Sequence, residues 1–239
     1  MFHLRGGTCV TIDLVAGRNI PLITGEYYHV FNRGVAKQPT FISHSDYQQA
    51  LLGLNYYRFI SPPIKLSRFK RFTFQKKAEL LSKLDLSGNK WVDIISFVLM
   101  PNHFHLLLKQ TTDKGIAKYL SLFTNSYTRY FNTKGQRPGP VFQGVFKAVH
   151  VESNEQLLHL SRYIHLNPYV SGVTSKTALL TYPWSSLPCY LGEEKNIVDQ
   201  SIVLSQFKSS SGYKDFVINH ADYAQQLEFI KHLTIDTEL

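Results

Sequence analysis

The sequence predicts an α+β protein, in which a ferredoxin-like antiparallel sheet carries helices mainly on one face and a C-terminal extension follows. Strand-like apolar runs occupy residues 26–34, 91–100, 103–109 and 141–147, and helical periodicity lies between and after them. The resulting order, β-α-β-β-α-β-α, is that of a ferredoxin-like fold. We therefore expect one domain over residues 25–175, preceded by a segment 1–24 and followed by an extension 176–239.

The first half of the domain contains three strands and one helix. Strand 26–34 ends in a turn signal, and Ser45 is expected to cap a helix from Asp46 to about Phe59 that Pro62 and Pro63 terminate. The next two strands, 91–100 and 103–109, are separated by a turn at residues 101–102.

Another helix, strand and helix complete the domain. Apolar side chains recur with helical spacing from about Gly115 to Phe131. Strand 141–147 follows a loop, and Ser153 with Gln156 forms a capping box for a helix that Pro168 should stop near Leu166.

The chain is strongly basic, with a formal net charge of +9 and a pI near 9.4. Such a charge attracts polyanions, and nucleic acid is the first partner to consider. No apolar run is long enough to cross a bilayer, and two distant cysteines indicate no disulfide framework. We therefore expect a cytoplasmic protein that does not engage a membrane.

Segment 64–78 is the densest basic and aromatic stretch. It carries six Lys or Arg residues, three Phe residues and no acid. Such a segment could clamp single-stranded DNA, or it could be the solvated side of a helix and its approach loop. The candidates here for nucleic-acid binding are Lys70, Arg71, Lys76 and Lys77.

The sequence His103-Phe104-His105 resembles half of a metal site. Alternate side chains of a strand share a face, so both imidazoles should point one way while Phe104 enters the core. The absence of clustered thiols points to Mg²⁺ or Mn²⁺ with oxygen ligands. The alternative is that two neighbouring histidines arose by chance in a chain that has ten.

The predicted helix 154–166 contributes Tyr163 and, just beyond it, Asn167. Their four-residue spacing places them on one face, beside the apolar stripe of Leu157, Leu160 and Ile164. A hydroxyl and an amide there could reach a metal on the neighbouring sheet. The alternative is that Tyr163 only packs its ring at the edge of the helix.

Four motifs together resemble the REP-associated tyrosine transposases, which are single-tyrosine transposases of the HUH endonuclease superfamily. The motifs are YHVFNRG at 28–34, MPNHFHLLL at 100–108, SYTRYFN at 126–132 and YIHLNP at 163–168, and PWSS at 183–186 resembles the region that follows the catalytic domain. The resemblance spans roughly residues 25–172. One departure is Val145, where an arginine is expected; Lys147 could supply the missing phosphate contact.

The resemblance implies that His103, His105 and Asn167 hold Mg²⁺ or Mn²⁺ and that Tyr163 is the nucleophile. It implies cleavage and rejoining of single-stranded DNA beside a hairpin through a 5′-phosphotyrosine, by a monomer or a homodimer. Arg33, Arg129 and Lys147 join the candidates for nucleic-acid binding. Two alternatives remain: a non-catalytic binder of hairpin DNA or RNA that keeps the scaffold, and a metal-dependent hydrolase that leaves no protein–DNA adduct.

Overall fold

The computed structural model describes residues 22–192, 197–221 and 224. Its centre is an antiparallel sheet whose four strands follow the order β2-β3-β1-β4. The strands are β1 (Tyr27–Arg33), β2 (Val92–Met100), β3 (His103–Gln110) and β4 (Lys147–Val151). The α+β class and the ferredoxin-like sheet are thus confirmed, whereas nearly all of segment 1–24 lies outside the described residues.

Helices cover both faces of this sheet. They are α1 (His44–Tyr57), α2 (Leu66–Phe69), α3 (Phe74–Ser87), α4 (Gly115–Lys134), α5 (Asn154–Val170), α6 (Lys176–Leu179), α7 (Leu187–Tyr190), α8 (Ser201–Leu204) and α9 (Ser210–Ile218). Phe104, Leu106 and Leu108 of β3 belong to a core shared with α1 and α4. Leu107 belongs to a second core, shared with α5 and the later helices.

This distribution differs from the expectation of helices mainly on one face. Its cause is visible in β2, whose nine residues are all buried except Asp93. A strand that is apolar on both faces needs cover on both. Residues 176–192 provide part of that cover: Trp184 accepts a backbone hydrogen bond from Leu99, and Ser186 donates one to Phe97.

Three local expectations are also corrected. Ser43, not Ser45, caps α1, because its hydroxyl and the Asp46 carboxylate form a reciprocal capping box. Residues 141–146 form no strand: they contain bends and make a single bridge, from Phe142 to Gly34 just after β1, and β4 begins only at Lys147. Pro168 lies inside α5, which continues to Val170; proline removes one backbone donor, and the helix ends within the next turn.

No helix among the described residues is long and apolar enough to cross a membrane.

Candidate active site

His103 and His105 lie on the same face of β3, the face opposite Phe104. Their ring centroids are 5.0 Å apart and the rings are nearly perpendicular. Phe104 is fully buried in the core beneath α1 and α4. The β2–β3 hairpin therefore presents two imidazoles toward α5, next to the turn at which the two strands meet.

A hydrogen-bond chain fixes the tautomer of His103. Its Nδ1 lies 2.7 Å from Oδ1 of Asn102. A second hydrogen bond orients the Asn102 amide, because its Nδ2 donates to the Lys37 carbonyl over 3.2 Å. Because a carbonyl oxygen only accepts, Nδ1 of His103 carries the proton and Nε2 keeps its lone pair.

A third histidine, His29 of β1, belongs to this cluster, and sequence reasoning missed it. Its Nε2 lies 2.9 Å from Nδ1 of His105, and the two rings stack with centroids 5.1 Å apart. Phe31 of the same strand pairs with His105, so His29, two residues earlier, lies on the same face. Only the pairing of β1 with β3 makes this visible.

All three histidines are held neutral by burial. Burial lowers the pKa of His29 to about 4. It also lowers the pKa of His105 well below the usual value, with the neighbouring histidines adding to the effect. The pKa of His103 is lowered by burial first and by the Arg33 charge, whereas a hydrogen bond with the Asn167 side chain acts in the opposite direction and raises it. Near neutral pH the cluster therefore offers imidazole lone pairs and no positive charge.

Helix α5 places Tyr163 and Asn167 at this cluster. The Tyr163 ring approaches edge-on, 5.5 Å from His105 and 6.1 Å from His29, and is 49% exposed. Asn167, one turn later, is buried and hydrogen-bonded to the His103 side chain. These residues belong to one chain, so the tyrosine faces the histidines of its own molecule, with half its surface open to a ligand.

Tyr127 and Tyr130, in another of the family-like motifs, lie elsewhere. The Tyr127 hydroxyl donates to the carbonyl of Thr40 inside the core, and burial raises its pKa. The Tyr130 hydroxyl donates to Asp46 over 3.1 Å, at the α1–α4 contact. Neither tyrosine contacts the histidine cluster.

Comparison with known proteins agrees with this geometry. The family model described as "Transposase IS200 like" matches residues 56–167. The matched segment is similar to the IS200-like transposases. It contains His103, His105, Tyr163 and Asn167, so the resemblance to a transposase family is confirmed.

Two further comparisons were made with solved structures and with curated proteins. A solved structure, described as a REP-associated tyrosine transposase bound to a REP hairpin, is similar at 12% identity and a TM-score of 0.48. That likeness covers 77% of this chain and 94% of the other. No curated protein matches significantly.

The basic residues predicted to bind nucleic acid separate into two groups. Arg33 pairs with His103 across the strands and donates through Nε to Gln143 over 2.6 Å. Lys147 lies opposite Phe31, whose ring is 5.7 Å from His105, so it shares the histidine face. The others, Lys70, Arg71, Lys76, Lys77 and Arg129, lie on α4 or in the segment packed against α1. Val145, at the departure from the family pattern, is 64% exposed.

The donor set at the histidine cluster fits a hard divalent cation. Among the described residues no group of three or more His, Cys, Asp or Glu could hold a metal. A site here would therefore depend on two neutral imidazoles and the Asn167 amide, next to which a phosphate oxygen could complete the set. The buried, hydrogen-bonded placement of Asn167 beside His103 is the observation that supports this fit.

Proposed function

We propose that this protein is a REP-associated transposase of the HUH type, which cleaves and rejoins single-stranded DNA near a hairpin through Tyr163. The observation that carries the proposal is the meeting of Tyr163 with the histidine cluster: its ring lies 5.5 Å from His105, and Asn167 of the same helix is hydrogen-bonded to His103. The basic charge of +9 supports a polyanionic substrate.

His103, His105 and Asn167 would hold Mg²⁺ or Mn²⁺. When bound, such an ion neutralises charge on the scissile phosphate and polarises it toward attack. The chain prepares for this by keeping Nε2 of His103 unprotonated through the bond from Nδ1 to Asn102. His29 would do the same for His105: Nε2 of His29 would accept a hydrogen bond from Nδ1–H of His105, 2.9 Å away, which leaves Nε2 of His105 unprotonated.

Tyr163 is the nucleophile in this proposal. Its phenol oxygen forms a bond to phosphorus as it loses its proton, and the bond from phosphorus to the 3′-oxygen breaks. The products are a 5′-phosphotyrosyl protein and a strand with a free 3′-hydroxyl, which takes up a proton. A second 3′-hydroxyl reverses these steps on a new strand, which restores the tyrosine and rejoins the DNA.

Arg33 and Lys147 flank the site and suit contacts to the phosphates on either side. Lys147 is exposed and lies on the same face as Phe31 and the histidines. It is therefore placed to provide the phosphate contact that Val145 does not. Because Tyr163 meets the histidines of its own chain, a monomer is sufficient for this chemistry, and a homodimer is not required.

One experiment separates this function from its alternatives. The full chain is incubated with end-labelled single strands that carry a hairpin, with Mg²⁺ or Mn²⁺, and run on a denaturing gel. We expect a labelled band that migrates with the protein and disappears on proteolysis. Cleaved DNA with no adduct would instead indicate a hydrolase, and bound but intact DNA a non-catalytic binder.

A further inference from the structure

A large basic groove lies on the α1 and α4 side of the sheet, away from the histidines. It encloses about 770 Å³ between the outer surface of α4 and residues 61–70. Five cationic side chains line it, and none of its lining residues in the described part of the chain is acidic: Lys65, Lys70, Lys118, Arg129 and Lys134. Its volume lies within the range of ligand-binding clefts.

Most of this positive charge is uncompensated. Lys134 pairs with Asp46 over 2.7 Å, and Lys70 donates to the amide of Gln49. Lys65, Lys118 and Arg129 are exposed and form no ion pair within the described ranges. The groove is therefore an electropositive channel.

The charges follow a line rather than a cluster. Lys118 and Arg129 lie three turns apart on the outer side of α4, roughly 16 Å from each other at ~1.5 Å per residue, and Lys134 lies at the end of the helix beside α1. A line of cations of this length matches a row of phosphates better than it matches a compact anion.

Aromatic rings accompany the cations. Tyr57 and Tyr130 line the groove, and the Tyr130 ring has the Lys70 ammonium 5.4 Å and the Lys134 ammonium 5.9 Å from its centre. Proteins that bind single strands combine a basic track with rings on which unpaired bases stack. A duplex would offer the groove phosphates but no free base faces.

We propose that this groove binds a single-stranded nucleic-acid segment that flanks the cleaved one. The inference rests on the proposed function, because it takes the strand at Tyr163 as its starting point. The sheet separates the two places: α1 and α4 pack against Phe104 and Leu106, while His103 and His105 point to the other face. The groove therefore holds a different part of the strand, and the substrate passes around an edge of the sheet.

The test uses the full chain with Tyr163→Phe, so that bound DNA stays intact. Fluorescein-labelled hairpins, with or without single-stranded flanks, are titrated over a series of salt concentrations. In this background two double variants are compared. The groove variant carries Lys118→Ser and Arg129→Ser. The control variant carries Lys208→Ser and Lys214→Ser, which remove the same charge from exposed positions in and near α9. We expect only the groove pair to flatten the salt slope for the flanked hairpin, by about 1.4, since each phosphate contact to a single strand contributes about −0.7.

Each outcome decides the proposal. Equal slopes for the two pairs would overturn it. If the groove pair flattens the salt slope equally for the hairpin without flanks, the groove holds duplex, and this result also overturns the proposal. The proposed function is judged separately, by the covalent adduct of the unaltered protein. If the adduct is missing but the groove variant flattens the salt slope, only the catalytic proposal is rejected. If the adduct forms but the slopes are unchanged, only the groove proposal is rejected.

Discussion

His29 offers a sharp test of the site, because it touches the expected metal ligand and not the metal. Replacing it by Phe keeps an aromatic ring of similar size in the stack on His105 but removes the acceptor for Nδ1–H, which lies 2.9 Å away. A buried donor left without a partner costs about 1–3 kcal/mol. His105 avoids that cost by moving its proton to Nε2, the atom that should bind the metal.

The expected result is weaker metal binding by a folded protein. Loss of an outer hydrogen-bond partner of a metal-bound histidine typically lowers metal affinity by about 10–100-fold, or roughly 1.4–2.7 kcal/mol. Calorimetric titration of Mn²⁺ into the DNA-free protein measures this directly. The matched control is His150→Phe, the same exchange on β4 at a residue that pairs with Tyr28 and bonds to Glu26.

Two results would refute the reasoning. If His29→Phe binds Mn²⁺ as tightly as the unaltered protein does, His29 does not set the tautomer of His105. If His150→Phe weakens binding equally, the loss comes from general damage to the sheet. Thermal unfolding of both variants shows whether each remains folded.

Four further outcomes are expected. His103→Ala and His105→Ala should each abolish cleavage but leave the melting temperature close to that of the unaltered protein, because Phe104, Leu106 and Leu108 of the same strand still pack in the core beneath α1 and α4. Retained cleavage in both variants would remove the metal-site assignment. Tyr163→Phe should eliminate the adduct with nearly unchanged DNA affinity, and peptide mapping of the DNA to Tyr127 or Tyr130 would contradict this. Replacing Lys70, Arg71, Lys76 and Lys77 by Ser should flatten the salt dependence of DNA binding, and an unaltered slope would mean that segment 64–78 does not touch DNA. Burial lowers the pKa of His165 from 6.5 to about 3, so the unfolded chain binds the extra proton. The free energy of unfolding should therefore fall as the pH drops below 6.5, by at most about 2 kcal/mol at pH 5. His165→Gln should make the free energy of unfolding in urea less dependent on pH over that range, and an unchanged pH dependence would refute the assignment.

Much of the fold followed from local pattern. The two strands of the β2–β3 hairpin were predicted within a residue at each end, because both are long apolar runs divided by a proline turn. The last strand was misplaced, because 141–146 has strand composition but only one bridge, to Gly34 just after β1, and pairing is a tertiary property. Ser43 and Ser45 are equally good caps by residue type, and only the Asp46 carboxylate distinguishes them.

The candidate site was predictable where its residues lie close together in sequence. His103 and His105 alternate on one strand, and Tyr163 and Asn167 are one helical turn apart. His29 lies 76 residues from His105, and no local pattern joins them. The separation of Lys70 and Arg129 from Arg33 and Lys147 was equally hidden, since charge along the chain does not tell on which face of a sheet a side chain lies.

The C-terminal extension explains how Tyr163 is held in place. His165, two residues later on α5, is fully buried and hydrogen-bonded to Ser186 and Tyr213, each over 2.7 Å. The Ser186 hydroxyl accepts the Phe97 backbone N–H of β2. The helix that carries the proposed nucleophile is thus tied on its inner side to the sheet edge and to α9, while its outer side presents Tyr163 to the histidines. These hydrogen bonds hold the tyrosine against the cluster of its own chain, which is the arrangement that the proposed cleavage by a monomer requires.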